Sequence, residues 1–283
     1  MKVVHTIKEV REIVKQWKKE GLTIGFVPTM GYLHEGHKSL IMKSVSQNDR
    51  TVVSDFVNPT QFGPNEDLAR YPRDLERDSK LVESAGADLL FNPEPSEMYP
   101  AHFTTTVNTS EVTEHLCGAR RPVHFGGVCQ VLTKLFNIVT PNRAYFGQKD
   151  AQQLAVVKRF VRDLNFDIEI IGCPIVREED GLAKSSRNTY LSPEERKAAV
   201  ILSKSLKAGK ALIEGGERCS QKVIDKITEV LKSEPLAKID YVSIVDNTNI
   251  QPLDTIKGEV LVAIAVYIGK TREIDNFIIE VCD

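Results

Sequence analysis

The sequence predicts an α/β protein with a doubly wound parallel sheet and a smaller C-terminal α+β domain of helices plus antiparallel strands. Two observations support this fold class. As far as residue 176, short apolar runs alternate with segments of helical spacing, as in βαβ units. Beyond that point, helical segments are followed by three strand-like runs with no helix between them. We therefore expect two domains, residues 1–176 and residues 177–283.

The first part begins with a helix over residues 7–17, for which Thr6 is suited to be the N-cap. An apolar strand over residues 22–27 then breaks at Pro28 and Gly31, and a helix runs from about residue 37 to residue 47. The remaining alternation predicts strands at 51–57, 87–91, 103–107, 144–146 and 167–176, and helices at 72–84, 128–139 and 151–164.

The last third begins with a clear helix start at Ser192-Pro193-Glu194-Glu195. Ser192 can cap the helix, Pro193 fits its first position and Glu195 is placed for a capping box. The pattern predicts one helix to about residue 214, followed after Gly215-Gly216 by a second helix over residues 223–231. Strand-like runs at 239–246, 259–268 and 273–281 complete the chain.

The composition narrows the class of protein. The chain has 283 residues and a formal net charge of -2, which argues against nucleic acid as the main partner but leaves room for a local anion site. Its five cysteines are scattered without a C-x-x-C pair, so we expect buried thiols in a reducing compartment rather than disulfides or zinc. The charged N-terminus is not a signal peptide, and the longest apolar run, 260–268, is too short to span a bilayer. We expect a soluble cytoplasmic protein without a membrane partner.

The first candidate site is the turn between the strand and the helix of residues 22–47. Such a turn brings backbone N–H groups and the positive end of a helix to a phosphate. His34 and His37 flank Gly36 here, and imidazoles at this place can donate hydrogen bonds to a developing pyrophosphate. The pair could also suggest zinc, but metalloprotease histidines lie four apart on one helix with no glycine between them. Purely structural histidines are the other alternative.

Two further segments suggest phosphate contacts. Gly147-Gln148-Lys149-Asp150 joins a predicted strand to a predicted helix, and a bound phosphate would offset the unfavourable placement of Lys149 at a helix N-terminus. The alternatives are a solvated lysine and, for Asp150, helix capping. Lys184-Ser185-Ser186-Arg187 combines hydroxyl groups with cations, which suits the β- and γ-phosphates of a nucleotide, although a serine-rich loop is by itself only a linker.

The amides of Gln61 and Gln153 lie near predicted strand ends, where open α/β sheets bind ligands. Taken alone, these two residues carry almost no signal. The whole set of motifs, in this order over the first two-thirds of the chain, resembles the pantothenate synthetase (pantoate–β-alanine ligase) family of the HxGH nucleotidyltransferase superfamily. The segments that carry the resemblance are Pro28–Gly31, His34-x-Gly36-His37, Asn58-Pro59-x-Gln61-Phe62, Arg70-Tyr71-Pro72-Arg73, Phe146–Gln153 and Asp180–Asn188.

The resemblance implies a Rossmann-like domain that binds nucleotide and pantoate, with a smaller C-terminal domain. Because Ser185 and Ser186 lie just past the predicted domain boundary, we further expect the second domain to close over ATP as a lid. The resemblance also implies ATP-dependent condensation of (R)-pantoate with β-alanine through a pantoyl adenylate, with release of pyrophosphate and AMP. It further implies Mg²⁺ with the nucleotide, a homodimer, and a place in pantothenate and coenzyme A biosynthesis.

The same resemblance assigns roles to individual residues. The charge on the departing pyrophosphate would be met by a catalytic set consisting of His34, His37, Lys149, Ser185, Ser186 and Arg187. Other contacts to ATP would come from Met30, Gly31, Gly147, Asp150, Val176 and Lys184. Gln61 and Gln153 would bind pantoate and β-alanine, and Asp78 would contact Mg²⁺. The chain departs from the family pattern at Lys184, where methionine is common, and at Val123, where glycine is common.

Two other hypotheses compete with the ligase. One is a nucleotidyltransferase that stops at a nucleotide-linked product, and the other is a nucleotide-binding module without catalysis. The two glutamines, which are neutral, favour a substrate with a carboxylate and hydroxyls over a phosphorylated acceptor.

Overall fold

Six parallel strands form one sheet in the order β1-β4-β3-β2-β5-β6. The computed structural model describes residues 1–64 and 66–282. The strands are β1 (Lys2–Val4), β2 (Ile24–Thr29), β3 (Arg50–Asp55), β4 (Leu89–Phe91), β5 (Arg143–Gly147) and β6 (Glu169–Cys173). The strand order reverses between β2 and β5, which lie side by side. The predicted doubly wound parallel sheet is confirmed, and its ligand-binding edge is expected at this reversal.

Helices connect the strands of this sheet. They are α1 (Ile7–Lys19), α2 (Glu35–Gln47), α3 (Leu75–Ser84), α4 (Pro95–Met98), α5 (Leu116–Arg120), α6 (His124–Val139) and α7 (Ala151–Asp163). Thr6 caps α1 in a capping box with Glu9, as the sequence predicts for Thr6. Apolar residues of β2, β3 and β4 pack with α2 in a core that includes Val27, Val53 and Leu90. This core holds in place the carboxyl ends of β2 and β3, which precede the predicted site residues.

An antiparallel sheet of three strands, in the order β7-β8-β9, ends the chain. Its strands are β7 (Ala237–Asp246), β8 (Gly258–Ile268) and β9 (Thr271–Val281), and the helices before it are α8 (Pro193–Ala198), α9 (Ile201–Glu214) and α10 (Ser220–Lys232). Alternate residues of β8, among them Val262 and Ile264, pack with Leu206 and Ile227 of the helices. The predicted antiparallel meander is therefore confirmed.

The contacts divide the chain into two units. One contains residues 1–109, 121–148 and 156–174, and the other contains residues 110–120, 149–155 and 175–283. Two short segments, 110–120 and 149–155, thus group with residues 175–283 although they precede residue 176. Among the described residues, no helix combines the length and the apolar character needed to cross a membrane.

Three local predictions are wrong. Residues 103–107 are not a strand, because the threonines there are exposed and the segment pairs with no described strand. The predicted helix to residue 214 is interrupted at Ala199 and Val200, where Val200 N–H bonds to Lys197 O in a tighter turn. Cysteine burial holds for Cys117, Cys129 and Cys173, but Cys219 and Cys282 are exposed; all five thiols are free.

Candidate active site

The turn after β2 is held by a buried carboxylate. The backbone N–H groups of Tyr32 and Leu33 donate to the two oxygens of Asp78 at 2.6 and 2.7 Å. Gly31 has a φ of +79°, and a Cβ on it would lie 2.2 Å from Asp55 Oδ1, so only glycine fits there. The turn is therefore fixed in place before α2 begins.

His34 and His37 form the start of α2. His34 is the N-cap, its Nδ1 accepts the N–H of Gly36 at 3.1 Å, and the Nδ1 of His37 accepts the N–H of His34 at 3.3 Å. An imidazole nitrogen that accepts a hydrogen bond carries no proton, so each neutral ring holds its proton on Nε2. The two side chains thus form a capping box, and the proton of each neutral ring lies on Nε2.

Asp55 and Asp78 form a pair of buried acids beneath this turn. Asp55 ends β3 and is 6% exposed, whereas Asp78 on α3 is fully buried. Burial, and then the negative charge of Asp78, raises the pKa of Asp55 to about 7. Burial also raises the pKa of Asp78, although the N–H groups of Leu33 and Tyr32 oppose the rise. Asp55 can therefore gain or lose a proton near neutral pH.

Hydrogen bonds hold both the nitrogen and the oxygen of the Gln61 side-chain amide. Gln61 lies in a short 3₁₀ helix, Pro59–Gln61, directly after β3, and is buried. Its Nε2 donates to the sulfur of Met30 at 2.9 Å, and its Oε1 accepts from Asn58 Nδ2 at 3.1 Å. His124 lies 3.1 Å from the Gln61 carbonyl, so its Nδ1 must carry the proton that is donated to that oxygen. The predicted Met30 and Gln61 are thus in contact.

Asn58 is a functional candidate that the sequence analysis used only as part of a family motif. Besides Gln61, its Nδ2 donates to the carbonyl of Gly127, and its Oδ1 accepts from the hydroxyl of Tyr99 at 2.8 Å. A Cβ on Gly127 would lie 2.4 Å from the carbonyl of Thr60, so α6 packs directly on this backbone. A polar residue immediately after an apolar strand was the only local signal for Asn58.

Gly147 ends β5, the neighbour of β2 in the sheet. The residues after β2 (Met30, Gly31, His34 and His37), the residue after β3 (Gln61) and Gly147 therefore share the carboxyl edge of three adjacent strands. Open space surrounds the position of a Cβ on Gly147, so glycine is not required there for steric reasons.

Lys149, Asp150 and Gln153 belong to the C-terminal unit. Lys149 lies in the 3₁₀ helix Gln148–Asp150, and its carbonyl accepts from Asn276 Nδ2 of β9 at 2.8 Å. Asp150 is exposed and Gln153 is half-buried. The neighbouring Gln152 is buried instead and binds the segment 110–120 through hydrogen bonds to the backbone of Val112, His115, Cys117 and Gly118.

Val176 and Lys184 face each other across a narrow hairpin, since the N–H of Lys184 donates to the carbonyl of Val176. The Lys184 ammonium pairs with Glu178 at 2.8 Å. Arg177 donates to both oxygens of Asp275 at 2.7 and 2.9 Å and so ties the hairpin to β9. The cation of Lys184 therefore already has an anionic partner.

Ser185, Ser186 and Arg187 continue directly from this hairpin. Ser185 caps the 3₁₀ helix Ser186–Tyr190, and its oxygen accepts the N–H of Arg187 at 3.2 Å. Ser186 is buried, and this short helix packs against β9. Ser185, Ser186 and Arg187 thus belong to one turn.

No group of three or more His, Cys, Asp or Glu side chains that could hold a metal ion occurs in the described part of the chain. The predicted site residues after β2 and β3 supply imidazole and amide groups, and those of the C-terminal unit supply hydroxyl and cationic groups. Groups of each of these kinds can bind phosphate and carboxylate oxygens.

Comparison with known proteins agrees with this chemistry. A sequence model of the family described as pantoate-beta-alanine ligase matches residues 2–278. The chain is 64% identical to a pantothenate synthetase of Clostridium acetobutylicum, over 98% of this chain and 99% of the relative. A pantothenate synthetase of Clostridium botulinum strain Loch Maree is 62% identical over the same shares.

Comparison with solved structures indicates the same family. The crystal structure of pantothenate synthetase from Thermus thermophilus matches with a TM-score of 0.93 and 46% identity, over 98% of this chain and 99% of that chain. A pantoate-beta-alanine ligase from Francisella tularensis, complexed with beta-gamma ATP and beta-alanine, matches with a TM-score of 0.79 and 36% identity, over 98% and 97%. The resemblance found in the sequence is confirmed. The chain belongs to the pantoate-beta-alanine ligase family.

Proposed function

We propose that the protein condenses (R)-pantoate with β-alanine to form pantothenate in two steps. In the first step, the pantoate carboxylate attacks the α-phosphorus of ATP, and pyrophosphate leaves. In the second, the unprotonated amine of β-alanine attacks the acyl carbon of pantoyl adenylate, and AMP leaves. Membership of the family over residues 2–278 supports the reaction, and the ATP and β-alanine complex of the Francisella relative supports its substrates.

The observation that carries the proposal is the pair of hydrogen bonds that the Nδ1 atoms of His34 and His37 accept from the backbone, which place the proton of each neutral ring on Nε2. Because both Nδ1 atoms accept backbone N–H groups, both rings present Nε2–H. A ring in this state donates a hydrogen bond and cannot act as a general base through Nε2. The two histidines therefore fit stabilisation of the departing pyrophosphate, a form of catalysis in which donors are held where charge develops.

The cationic and hydroxyl groups complete this role. Lys149 and Arg187 would bind the β- and γ-phosphates, and the hydroxyls of Ser185 and Ser186 would donate to the same oxygens. Asp150 and Val176, together with Gly31 and Gly147, would line the ribose and adenine. Lys184 is paired with Glu178, so we expect it to hold the hairpin at Val176 rather than add net charge to the nucleotide site.

Gln61 and Gln153 would bind pantoate. A neutral amide offers both a donor and an acceptor, which suits a substrate that carries hydroxyls and a carboxylate. Asn58 fixes the Gln61 amide, and the sulfur of Met30 accepts its N–H. A site whose polar groups are oriented in this way discriminates strongly against analogues without the hydroxyls.

Asp78 does not fit the role of Mg²⁺ ligand that the resemblance implies. Its side chain is fully buried and both oxygens already accept backbone N–H groups. No cluster of three His, Cys, Asp or Glu side chains suited to a metal lies within residues 1–64 and 66–282. Mg²⁺ commonly binds proteins through phosphate oxygens and water, so we propose that it enters with ATP.

The test is the partial reaction. Purified protein with ATP, Mg²⁺ and pantoate should release pyrophosphate without an amine, and AMP with pantothenate should form only when β-alanine is added. A protein that binds ATP but gives no pantoate-dependent pyrophosphate would overturn the proposal. A cytoplasmic homodimer, implied by the family, is part of the same proposal, and sedimentation equilibrium measures the oligomeric state.

A further inference from the structure

Glu273 of β9 is a buried carboxylate with an unusual environment. Its side chain is 2% exposed, and its Oε1 accepts no hydrogen bond from any residue in 1–64 or 66–282. Asp275, two residues along the same strand, is also buried but is partnered at both oxygens by Arg177 and by the N–H of Asn276. The two acids share one face of β9, but the groups that surround their carboxylates differ.

The environment of Glu273 destabilises the ionised form of its carboxyl group. Its cross-strand neighbour is Val266, whose side chain belongs to the apolar core of the C-terminal unit. Burial raises the pKa of Glu273, and the positive charges of Lys149 and then Arg187 act in the opposite direction. A buried acid of this kind costs folding free energy, and such costs are commonly retained where a group serves function.

Both cations that act on Glu273 are connected to its strand. Asn276, three residues along β9, donates to the carbonyl of Lys149 at 2.8 Å. The 3₁₀ helix that contains Arg187 packs against β9. Glu273 therefore lies on the strand that holds the backbone of Lys149 and packs against the helix that contains Arg187, and its charge is of the sign that attracts both cations.

We propose that Glu273 is a positioning residue, a buried counter-ion that keeps the Lys149 and Arg187 side chains in the arrangement that receives the phosphates of ATP. Two cations in one site repel each other, and an anion on their protein side offsets this repulsion while no ligand is bound. Catalysis then requires little rearrangement of these donors when charge develops on pyrophosphate. This inference rests on the proposed function, because it needs both cations to act on ATP.

The proposal predicts opposite effects on stability and on catalysis. Glu273→Gln removes the charge at nearly constant shape, so the melting temperature should rise by roughly 2–4 °C. The same variant should release pyrophosphate in the pantoate-dependent partial reaction about tenfold more slowly. Glu273→Asp keeps the charge and should recover part of the lost rate. A residue needed only for folding would lower both quantities together.

Glu280→Gln is the matched control, since Glu280 lies exposed on the same strand. It should change neither the melting temperature nor the partial reaction. Kinetics would be measured at saturating pantoate over a range of ATP concentrations, so that kcat and the KM for ATP are separated. We expect the fall in kcat to exceed any change in KM, because the cations act most strongly on the leaving pyrophosphate.

Three results would overturn the inference. The first is a Glu273→Gln variant with a partial-reaction rate within twofold of the wild type. The second is a fall in both melting temperature and rate, which indicates a structural role. In both cases the active wild-type enzyme leaves the proposed function intact. The third is an unmodified protein that releases no pyrophosphate with pantoate, which overturns the proposed function and this inference together.

Discussion

The imidazole rings of His34 and His37 lie 4.1 Å apart, centroid to centroid, at an angle of 38°. Each Nδ1 accepts a backbone N–H of the same helix start, so the peptide chain itself selects the tautomer of both rings. The capping box therefore does more than start the helix. In the neutral state of each ring it places the proton on Nε2, which is the state that the proposed donor role requires.

Replacement of His37 tests this donor role. His37→Ala removes the Nε2–H and should slow the pantoate-dependent release of pyrophosphate by about 10²–10³-fold. ATP affinity, measured by calorimetry, should change much less, because the donor matters most as the pyrophosphate leaves. His37→Gln keeps an N–H near the position of Nε2 and should retain more activity than the alanine variant. The exposed His5, replaced by glutamine, is the control. Equal activities of His37→Ala and the wild type would contradict the assignment.

Asp78→Asn tests how the turn after β2 is supported. The asparagine amide would direct an N–H₂ group toward one of the two N–H donors that the carboxylate now accepts, and one hydrogen bond would be lost. We expect the free energy of unfolding to fall by about 1–3 kcal/mol and the partial reaction to slow at least tenfold. The dependence of rate on Mg²⁺ concentration should stay that of the wild type; a large rise in the Mg²⁺ requirement would instead indicate a metal ligand. Glu76→Gln, on the exposed face of α3, is the control.

Asp55 should make the stability of the protein depend on pH. Its pKa is about 7 in the folded protein against 3.8 for an ordinary aspartate, so the folded state holds the proton more tightly than the unfolded state. The free energy of unfolding contributed by Asp55 therefore falls as pH rises from about 4 to about 7, and changes little above that. Each pKa unit is worth about 1.4 kcal/mol.

Urea unfolding at a series of pH values measures this contribution. Asp55→Asn should be more stable than the wild type at pH 8, by about 4–4.5 kcal/mol at most. The difference should shrink toward zero at pH 4, where the wild-type carboxyl is protonated in the folded state and about half protonated in the unfolded state. A constant difference across this range would show that Asp55 does not titrate as the structure indicates.

Gln152 should stabilise the folded conformation of residues 110–120. Its amide makes hydrogen bonds to four backbone groups of that segment, at 2.8 to 3.4 Å. Gln152→Leu removes these hydrogen bonds, and we expect a loss of about 2–4 kcal/mol in stability. Hydrogen exchange should accelerate in residues 110–120 first, because their protection depends on this side chain. Gln221→Leu, an exposed glutamine of α10, should leave that exchange unchanged.

The sequence predicted much of the fold because its patterns are local. Apolar runs mark β2 and β3, and the caps at Thr6 and Ser192 form as residue type and spacing predict. The wrong or missing predictions concern strands that must pair with a strand far away in the sequence. The run 103–107 has the composition of a strand but lacks a described partner, and the three-residue β1 is too short to show a pattern although it pairs with β4.

The site was predicted by motif rather than by geometry. Sequence motifs predicted His34, His37 and Gln61 as ligand contacts, and the structure shows the hydrogen bonds that orient each side chain. No local pattern indicated a role for Glu273, or for Gln152 beyond its place in the segment Phe146–Gln153, because the contribution of each depends on groups more than 30 residues away in sequence. A glutamine in a helix and an acid in a strand have no local signature that separates a buried, interacting side chain from a solvated one.

The fixed tautomer of the two histidines also has a consequence for inhibitor chemistry. Fragments that offer acceptor oxygens, such as sulfonyl or carbonyl groups, match a pair of Nε2–H donors and should be favoured in a screen. Fragments that bring a chelated Zn²⁺ or Ni²⁺ need a bare ring nitrogen, and here each Nδ1 is taken by the backbone while each Nε2 holds the proton. A medicinal chemist would thus design acceptors, not metal binders, for these two rings.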